Sequence, residues 1–267
     1  MATLLTHISH PPGYLVFAPL AARPGLVHGV FTRHGGVSAP PYATLNVSFA
    51  VGDDRARVLE NRRRIAHALG GQLEHLYTTW QVHGAAHRVV DGAVPPADLE
   101  REQADILLTA TPGVLLLLKF ADCVPLLYWD PVRRWVALAH AGWRGTALNV
   151  AGTTVQLLAA VAGSRPSDLW VALGPAIGPC CYPVGPEVVA AVSQVVPDAA
   201  AVQRPAADGR AYLDLALANV QQLLAAGVPP GQVVRAQRCT ACESDTFFSH
   251  RALGMPSGRF AVVAGVS

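Results

Sequence analysis

The stretch VLLLLKFADCVPLLYW, residues 114–129, is followed by the turn residues Asp130 and Pro131 and by a third apolar run from Trp135 to Ala139. Short apolar runs bounded by turn residues are typical of strands buried on both faces. The stretch predicts three buried strands, and a hairpin through Asp130. Cys123 interrupts the first two strands and His140 ends the third, so the hairpin would carry both side chains to one end of a sheet.

A third candidate ligand lies upstream in Gln81-Val82-His83-Gly84, again at a predicted strand end. A thiolate beside an imidazole indicates either a metal site or a nucleophile with its base. Together, His83, Cys123 and His140 would bind zinc and leave one coordination position open, which is the pattern of catalytic rather than structural zinc. The spacing by itself leaves the metal site and the nucleophile as alternatives.

Composition limits the class of protein. The 267 residues are 51% hydrophobic and carry a formal charge of +2 from scattered charges, which argues against a nucleic-acid-binding or membrane-seeking surface. No segment has about 18 uninterrupted apolar residues, and the amino terminus lacks a basic start followed by an apolar core. We therefore expect a cytoplasmic protein. Five cysteines, an odd number, indicate reduced thiols rather than a disulfide framework.

Strand and helix signals alternate irregularly along the chain, without a convincing linker. This order predicts one mixed α+β domain covering residues 1–267. A helix is predicted from Asp53 to Leu69, with Asp53 or Asp54 as its cap, and another from Gly145 to Ala162, with Thr146 as its cap. The amides at the start of the second helix could attract an anion near Arg144.

A glycine turn is the first candidate for substrate binding. The predicted strand from Val27 to Thr32 leads into Arg33, His34, Gly35 and Gly36. Paired glycines permit positive φ angles and let backbone amides approach an anion or a sugar. An ordinary glycine turn is the alternative, and Arg33 favours the binding role.

Two cysteine pairs remain. Cys239-Thr-Ala-Cys242 is a C-x-x-C motif, but a zinc knuckle needs four ligands, and no second pair stands at the usual spacing. A redox motif would open a helix after a strand, which the following residues do not indicate. We predict ordinary buried or loop thiols for this pair and for the adjacent Cys180 and Cys181.

Between residues 27 and 263, ordered motifs resemble the bacterial proteins long labelled multicopper polyphenol oxidase or laccase-domain proteins, a family now described as purine nucleoside phosphorylases with adenosine deaminase side activity. The agreement of many motifs in order is more specific than any one of them. The motifs are Thr32-Arg33-His34-Gly35-Gly36-Val37-Ser38, Leu45-Asn46, Glu60-Asn61-Arg62, Gln81-Val82-His83-Gly84, Ala121-Asp122-Cys123, His140-Ala141-Gly142-Trp143-Arg144-Gly145, Gly174-Pro175-Ala176-Ile177-Gly178 and Phe248-Ser249-His250-Arg251.

The resemblance implies a layered α/β/β/α sandwich, with mixed sheets inside and helices outside. It implies zinc as cofactor, bound by His83, Cys123 and His140, and purine nucleosides and phosphate as substrates. Catalytic roles would fall on Arg62, Cys123 and His140. Substrate-binding roles would fall on Arg33, Gly35, Gly36, Asn46 and Arg144. We expect no nucleic-acid or membrane partner, and a monomer, although the oligomeric state is open.

Three functions remain to be separated. In the favoured one, water on zinc has its pKa lowered towards ~7 and attacks C6 of adenosine, or phosphate attacks the sugar of a nucleoside. In the second, Cys123 is a metal-free nucleophile that cleaves an amide such as a cell-wall precursor. The third is a binding protein without turnover. True laccase chemistry is disfavoured because the sequence has no His-x-His pair, although adventitious copper could occupy the site.

Overall fold

The computed structural model describes residues 5–9, 11–206 and 209–267, and the other residues of the expected domain lie outside the described ones. The strands are β1 Leu5–Ile8, β2 Tyr14–Phe17, β3 Leu26–Phe31, β4 Leu76–Tyr77, β5 His87–Val89, β6 Ile106–Thr109, β7 Leu115–Phe120, β8 Val124–Asp130, β9 Trp135–Ala141, β10 Trp170–Leu173, β11 Pro183–Val184, β12 Gln203–Pro205, β13 Ala211–Leu213, β14 Val233–Arg235 and β15 Phe260–Val266. The α-helices are α1 Ala18–Ala21, α2 Arg55–Ala68, α3 Pro96–Leu99, α4 Trp143–Ala147, α5 Val150–Ala162, α6 Pro186–Ser193, α7 Leu215–Ala225 and α8 His250–Leu253.

Two six-stranded sheets form the body of the structure. The first has the order β1-β2-β3-β15-β7-β4 and the second β14-β10-β8-β9-β6-β5, while β11, β13 and β12 make a small third sheet. Both large sheets are mixed, since β4 runs parallel to β7, and β10 runs parallel to β14, beside antiparallel pairs. The mixed sheets expected from the resemblance are confirmed.

Strand β7 shows how the layers form. Its alternate residues Leu116 and Leu118 face the core between the two sheets, whereas Leu117 packs on the other side against Ile65 of α2. The outer face of the second sheet packs against α4 and α5, and residues of α6 and α7 extend the same apolar cluster. Because both faces of such strands are buried, their sequences are apolar without alternation. The helix–sheet–sheet–helix order confirms the expected sandwich.

The β8–β9 hairpin positions His140, one of the three predicted metal ligands. Pro125 pairs with His140 at one end of the hairpin, and the Asp130 carboxylate accepts the amides of Val132 and Arg133 in the turn at the other. The predicted hairpin is therefore confirmed. Strands β7 and β8, in contrast, belong to different sheets, so the segment that contains Cys123 crosses from one sheet to the other.

The helix predicted from Gly145 to Ala162 is two helices, α4 and α5. Asn149 stands between them with φ of 54°, and its side chain accepts the amide of Gly152. Asparagine tolerates this left-handed conformation and is a strong helix cap. The assignment of Thr146 as the cap was wrong: Thr146 is buried within α4 and accepts a hydrogen bond from Asn219 at 2.9 Å. For α2, Asp54 is the cap, as one of the two predicted candidates.

Candidate active site

His83 lies in a loop folded around one buried carboxylate. The Asp105 side chain is 0% exposed and accepts the backbone amides of Val82 at 3.0 Å, His83 at 3.0 Å and Gly84 at 2.8 Å. His83 itself has a positive φ of 63°, a conformation that needs such support. Asp105 therefore anchors the loop that presents His83.

The same carboxylate orients the second histidine. Nδ1 of His140 lies 2.8 Å from Oδ1 of Asp105. Burial raises the pKa of Asp105, but the hydrogen bond and charge of His140, together with the amides of Gly84 and Val82, outweigh burial and lower that pKa below its usual value. A carboxylate can only accept, so Nδ1 of His140 is the donor. Nε2 is then the nitrogen that would bind a metal, which would displace its proton.

Cys123 sits where the chain passes between the sheets. Its neighbour Asp122 has φ of 90° and accepts hydrogen bonds from the Thr240 hydroxyl and from the amide of Arg251, both at 2.7 Å. On the other side, Gly142 leaves space: a Cβ there would lie 2.9 Å from Sγ of Cys123 and 3.1 Å from Cδ2 of His83. A side chain at residue 142 would therefore displace Cys123 or His83.

We call His83, Cys123 and His140 the His–Cys–His site. One donor atom from each lies within 4.8 Å of the others, with His83 exposed and His140 buried. Burial raises the pKa of Cys123, yet the charges and hydrogen bonds of His140 and His83 bring it down to about 6. One thiolate and two imidazoles this close together fit a zinc ion, and the exposed His83 side leaves room for a reactant. The expected meeting of the three side chains is present in the structure.

Arg62 occupies a different environment. It is buried and makes two hydrogen bonds of 2.7 Å to the carboxylate of Glu100, and its Nε donates to the carbonyl of Val47 at 2.9 Å. Nζ of Lys119 lies 3.8 Å from the same carboxylate. The guanidinium is thus already engaged by protein acceptors, and its proposed action on substrate stays a prediction.

The glycine turn and Asn46 make mainly internal contacts. A Cβ on Gly36 would lie 2.2 Å from the carbonyl oxygen of Thr44, so close packing explains this glycine, and the Gly36 amide already donates to the Thr44 hydroxyl. Exposed Gly35 has φ of 87°.

Two polar residues near the turn are bonded to the protein itself. Arg33 donates to the carbonyl oxygens of Ala43 and Ser244. The side chain of buried Asn46 accepts the amides of Ser48 and Arg259. These contacts are structural, and substrate binding at the turn stays untested.

Three arginines and a tyrosine surround the Cys123 side of the site. Burial and the charges of Cys123 and Asp122 raise the pKa of Tyr182 to about 12, although Arg251 and Arg144 act to lower it. Burial lowers the pKa of Arg259, and the charges of Cys123 and Asp122 oppose that effect. Each group is therefore within electrostatic range of the thiolate or its neighbours. Sequence analysis missed Tyr182 and Arg259, which belong to none of the quoted motifs.

The two cysteine pairs are not independent. Cys180, Cys181, Cys239 and Cys242, called here the four-cysteine cluster, bring their sulfur atoms within 4.8 Å of one another. All four are free thiols, as predicted, but spacing along the chain did not reveal that the two pairs meet. Pairing of Ala176 with Cys239 brings the two segments side by side.

The sequence was also compared with known families and characterised proteins. Residues 27–267 match the family described as multi-copper polyphenol oxidoreductase laccase. The chain belongs to this family. Among its relatives, it is 45% identical over 248 residues to the purine nucleoside phosphorylase YlmD of Geobacillus stearothermophilus, with 90% of each chain covered. It is also 37% identical to the adenosine deaminase RL5 of an unknown prokaryotic organism. That match covers 82% of this chain and 85% of RL5.

Solved structures of family members share the fold. YlmD of Geobacillus stearothermophilus superimposes with a TM-score of 0.93 at 41% identity, over 99% of both chains. The protein NMB0706 of Neisseria meningitidis gives a TM-score of 0.81 at 30% identity, again over 99% of both chains. In the part of the chain that the structure describes, no helix is long and apolar enough to cross a membrane.

Proposed function

We propose that the protein is a zinc-dependent purine nucleoside phosphorylase that also deaminates adenosine. The observation that carries the proposal is the His–Cys–His site, whose three donor atoms lie within 4.8 Å of one another. The names of its relatives, purine nucleoside phosphorylase and adenosine deaminase, support this choice of reaction. The substrates would be adenosine, inosine, guanosine and methylthioadenosine, with phosphate as the second substrate.

The chain's own residues prepare the site. Asp105 holds the His83 loop and His140 through four hydrogen bonds of 2.8–3.0 Å, so both imidazoles are oriented before any ligand arrives. Zinc, when bound, supplies a Lewis acid that polarises an oxygen and lowers the pKa of water. Copper would occupy the same donors only adventitiously.

Phosphate needs cationic partners whose charge is not already neutralised by a carboxylate. Hydrogen bonds to backbone carbonyls, such as those that Arg251 and Arg259 donate, leave that charge in place. Arg62 is held by Glu100, so we assign the phosphate instead to Arg144, Arg251 and Arg259, which lie around Tyr182 and Cys123. Guanidinium groups match the oxygens of phosphate in a bidentate manner. They would bind phosphate and offset its charge as it approaches the anomeric carbon of the nucleoside.

The test measures metal content and turnover together. Inosine and adenosine are assayed with and without phosphate in the wild type and in Cys123→Ala, His140→Ala and His75→Ala, the last an exposed histidine outside the site. We expect the first two variants to lose one zinc per chain and at least ~100-fold in rate, and His75→Ala to lose neither. Wild-type rates in Cys123→Ala would refute the proposal.

The same experiment addresses the alternative of a metal-free cysteine nucleophile, which the contact of Cys123 with His140 permits. An amidase would keep its rate after removal of zinc by a chelator and would form a covalent adduct at Cys123. Our proposal predicts the opposite on both counts: loss of turnover with the metal, recovery when zinc is returned, and no covalent adduct during turnover.

A further inference from the structure

The four-cysteine cluster lies outside the His–Cys–His site and has no part in the mechanism above. Sγ of Cys242 lies 3.5 Å from Sγ of Cys180 and 3.4 Å from Sγ of Cys181, and all four sulfur atoms lie within 4.8 Å of one another. All four are free thiols. Zinc binds thiolates at about 2.3 Å in a tetrahedron, which corresponds to sulfur–sulfur separations of ~3.8 Å. The observed distances agree with that arrangement.

The backbone around the cluster is arranged for close approach of sulfur. The amide of Gly178 donates to Sγ of Cys239 at 3.2 Å. A Cβ on Gly178 would stand 3.2 Å from Sγ of Cys180, a tight contact. Hydrogen bonds from backbone amides stabilise metal-bound thiolates, because they share the negative charge of the sulfur. The cluster thus has supporting groups as well as ligands.

We propose that Cys180, Cys181, Cys239 and Cys242 bind a second zinc ion as a closed structural site. Four thiolates complete a tetrahedron and leave no position for substrate, which distinguishes structural from catalytic zinc. The ion would join two segments that are far apart in sequence. The residues in between include β11, β12 and β13, α6 and α7, so this ion closes a long excursion of the chain.

The position of the cluster gives the ion a second effect. The Asp122 carboxylate accepts the hydroxyl of Thr240, which stands between the two cysteines of the C-x-x-C motif, and the Asp122 carbonyl accepts the amide of Ile177 at 2.8 Å. Both segments of the cluster therefore hold the residue that precedes Cys123. Zinc at the cluster would fix the backbone on which the thiolate of the His–Cys–His site is presented.

Metal stoichiometry tests the proposal without reference to activity. Protein purified from zinc-supplemented culture under reducing conditions is analysed for zinc in the wild type, Cys242→Ser, Cys180→Ser and Cys123→Ala. We expect two zinc ions per chain in the wild type and one in each variant. Circular dichroism confirms that each variant is folded, and the two serine variants serve as independent replacements if one of them fails to fold.

X-ray absorption at the zinc edge identifies the ligands. In Cys123→Ala, which retains only the second ion, we expect four sulfur neighbours at about 2.3 Å. Three results would overturn the proposal: full zinc content in both Cys180→Ser and Cys242→Ser, iron in place of zinc, or a disulfide within the cluster in the wild type. These measurements do not depend on the phosphorylase assay. The structural zinc site and the proposed enzymatic function can therefore be refuted independently of each other.

Discussion

The His–Cys–His site and the four-cysteine cluster are both groups of donor atoms within 4.8 Å, but they are supported differently. In the first, a fully buried carboxylate, Asp105, bonds three loop amides and His140. In the second, two of the four cysteines are exposed, and the backbone support to sulfur comes from the amides of Gly178 and Cys242, which both bond Cys239. A site that keeps one position open must be held by the protein, whereas a closed site is held by its ion.

The largest predicted effect concerns Asp105→Asn. An amide nitrogen would face backbone donors in a fully buried place, so unfolding should become easier by about 3 kcal/mol, and zinc affinity at the His–Cys–His site should fall ~10–100-fold. The four-cysteine cluster should keep its ion. Asp98→Asn, at an exposed helical turn, is the control. Equal loss of both ions in Asp105→Asn, measured by metal titration, would remove the distinction between the sites.

A pH effect comes from the first sheet, away from both sites. Burial lowers the pKa of His28 to about 4, and its Nε2 accepts the amide of Phe17 at 2.9 Å. The unfolded chain, with a pKa near 6.5, binds the proton first as pH falls, so stability is complete above pH ~6.5 and decreases by about 3 kcal/mol towards pH ~4. The metal-free protein is measured, since zinc ligands titrate in the same range.

The matched variant is His28→Gln, whose denaturant-unfolding curves are recorded at the same pH values. Titration of Cys123 and His140 is common to both proteins and cancels in the difference. Between pH ~6.5 and ~4, the wild type should lose stability more steeply than His28→Gln. Parallel curves would show that His28 does not contribute to the acid sensitivity.

Some parts of the fold could be predicted from the sequence and others could not. The apolar runs at 114–120 and 124–129 predicted buried strands. The prediction is correct because both faces of each strand are covered in the structure, which leaves no polar alternation in the sequence. They could not indicate which strand each would pair with, and so the passage of Cys123 between sheets was not foreseen. The break at Asn149 was also missed, because a helical pattern continues across it and only the positive φ of that residue interrupts the helix.

For the metal sites, residue type predicted which side chains would meet only where the sequence also resembled a family motif. His83, Cys123 and His140 were grouped by resemblance, and the structure brings them together. The four-cysteine cluster was missed because its members meet through the alignment of two loops, beside the parallel pairing of β10 with β14, and local spacing carries no information on such pairing. Arg62 shows the converse: its motif predicted substrate contact, and only the structure revealed its bond to Glu100.

A smaller effect is predicted for the link between the two sites. Thr240→Val keeps the shape of the side chain but removes the 2.7 Å bond to Asp122, which should cost about 2 kcal/mol of unfolding free energy, as for hydrogen bonds to charged groups. Thr78→Val is the control, because its buried hydroxyl has no partner among the described residues and its removal should be neutral or stabilising. Equal losses in the two variants, from denaturant unfolding, would contradict a role for the link.

The smallest effect, and the most direct comparison, uses one added methyl group at each site. Gly142 and Gly178 both have negative φ, so alanine adds no backbone strain in either position. At Gly142 the new Cβ would lie 2.9 Å from Sγ of Cys123, so a ligand must move. At Gly178 it would lie 3.2 Å from Sγ of Cys180, which requires a shift of only a few tenths of an ångström. We therefore expect Gly142→Ala to lower zinc affinity at its site by ~10-fold, and Gly178→Ala to lower it less.

Competition with a chromophoric chelator measures both affinities, and unfolding curves check that the two folds remain comparable. We expect this order because the backbone on each side of Gly142 is held in place: Asp105 accepts the amide of His83, and Asp122, which precedes Cys123, accepts hydrogen bonds from Thr240 and Arg251. The cysteines of the cluster stand on surface loops, two of them exposed, and can readjust around an ion that itself fixes their geometry. A larger loss in Gly178→Ala than in Gly142→Ala would mean that the cluster is the more rigid of the two sites, and that its ion is bound by a preformed pocket.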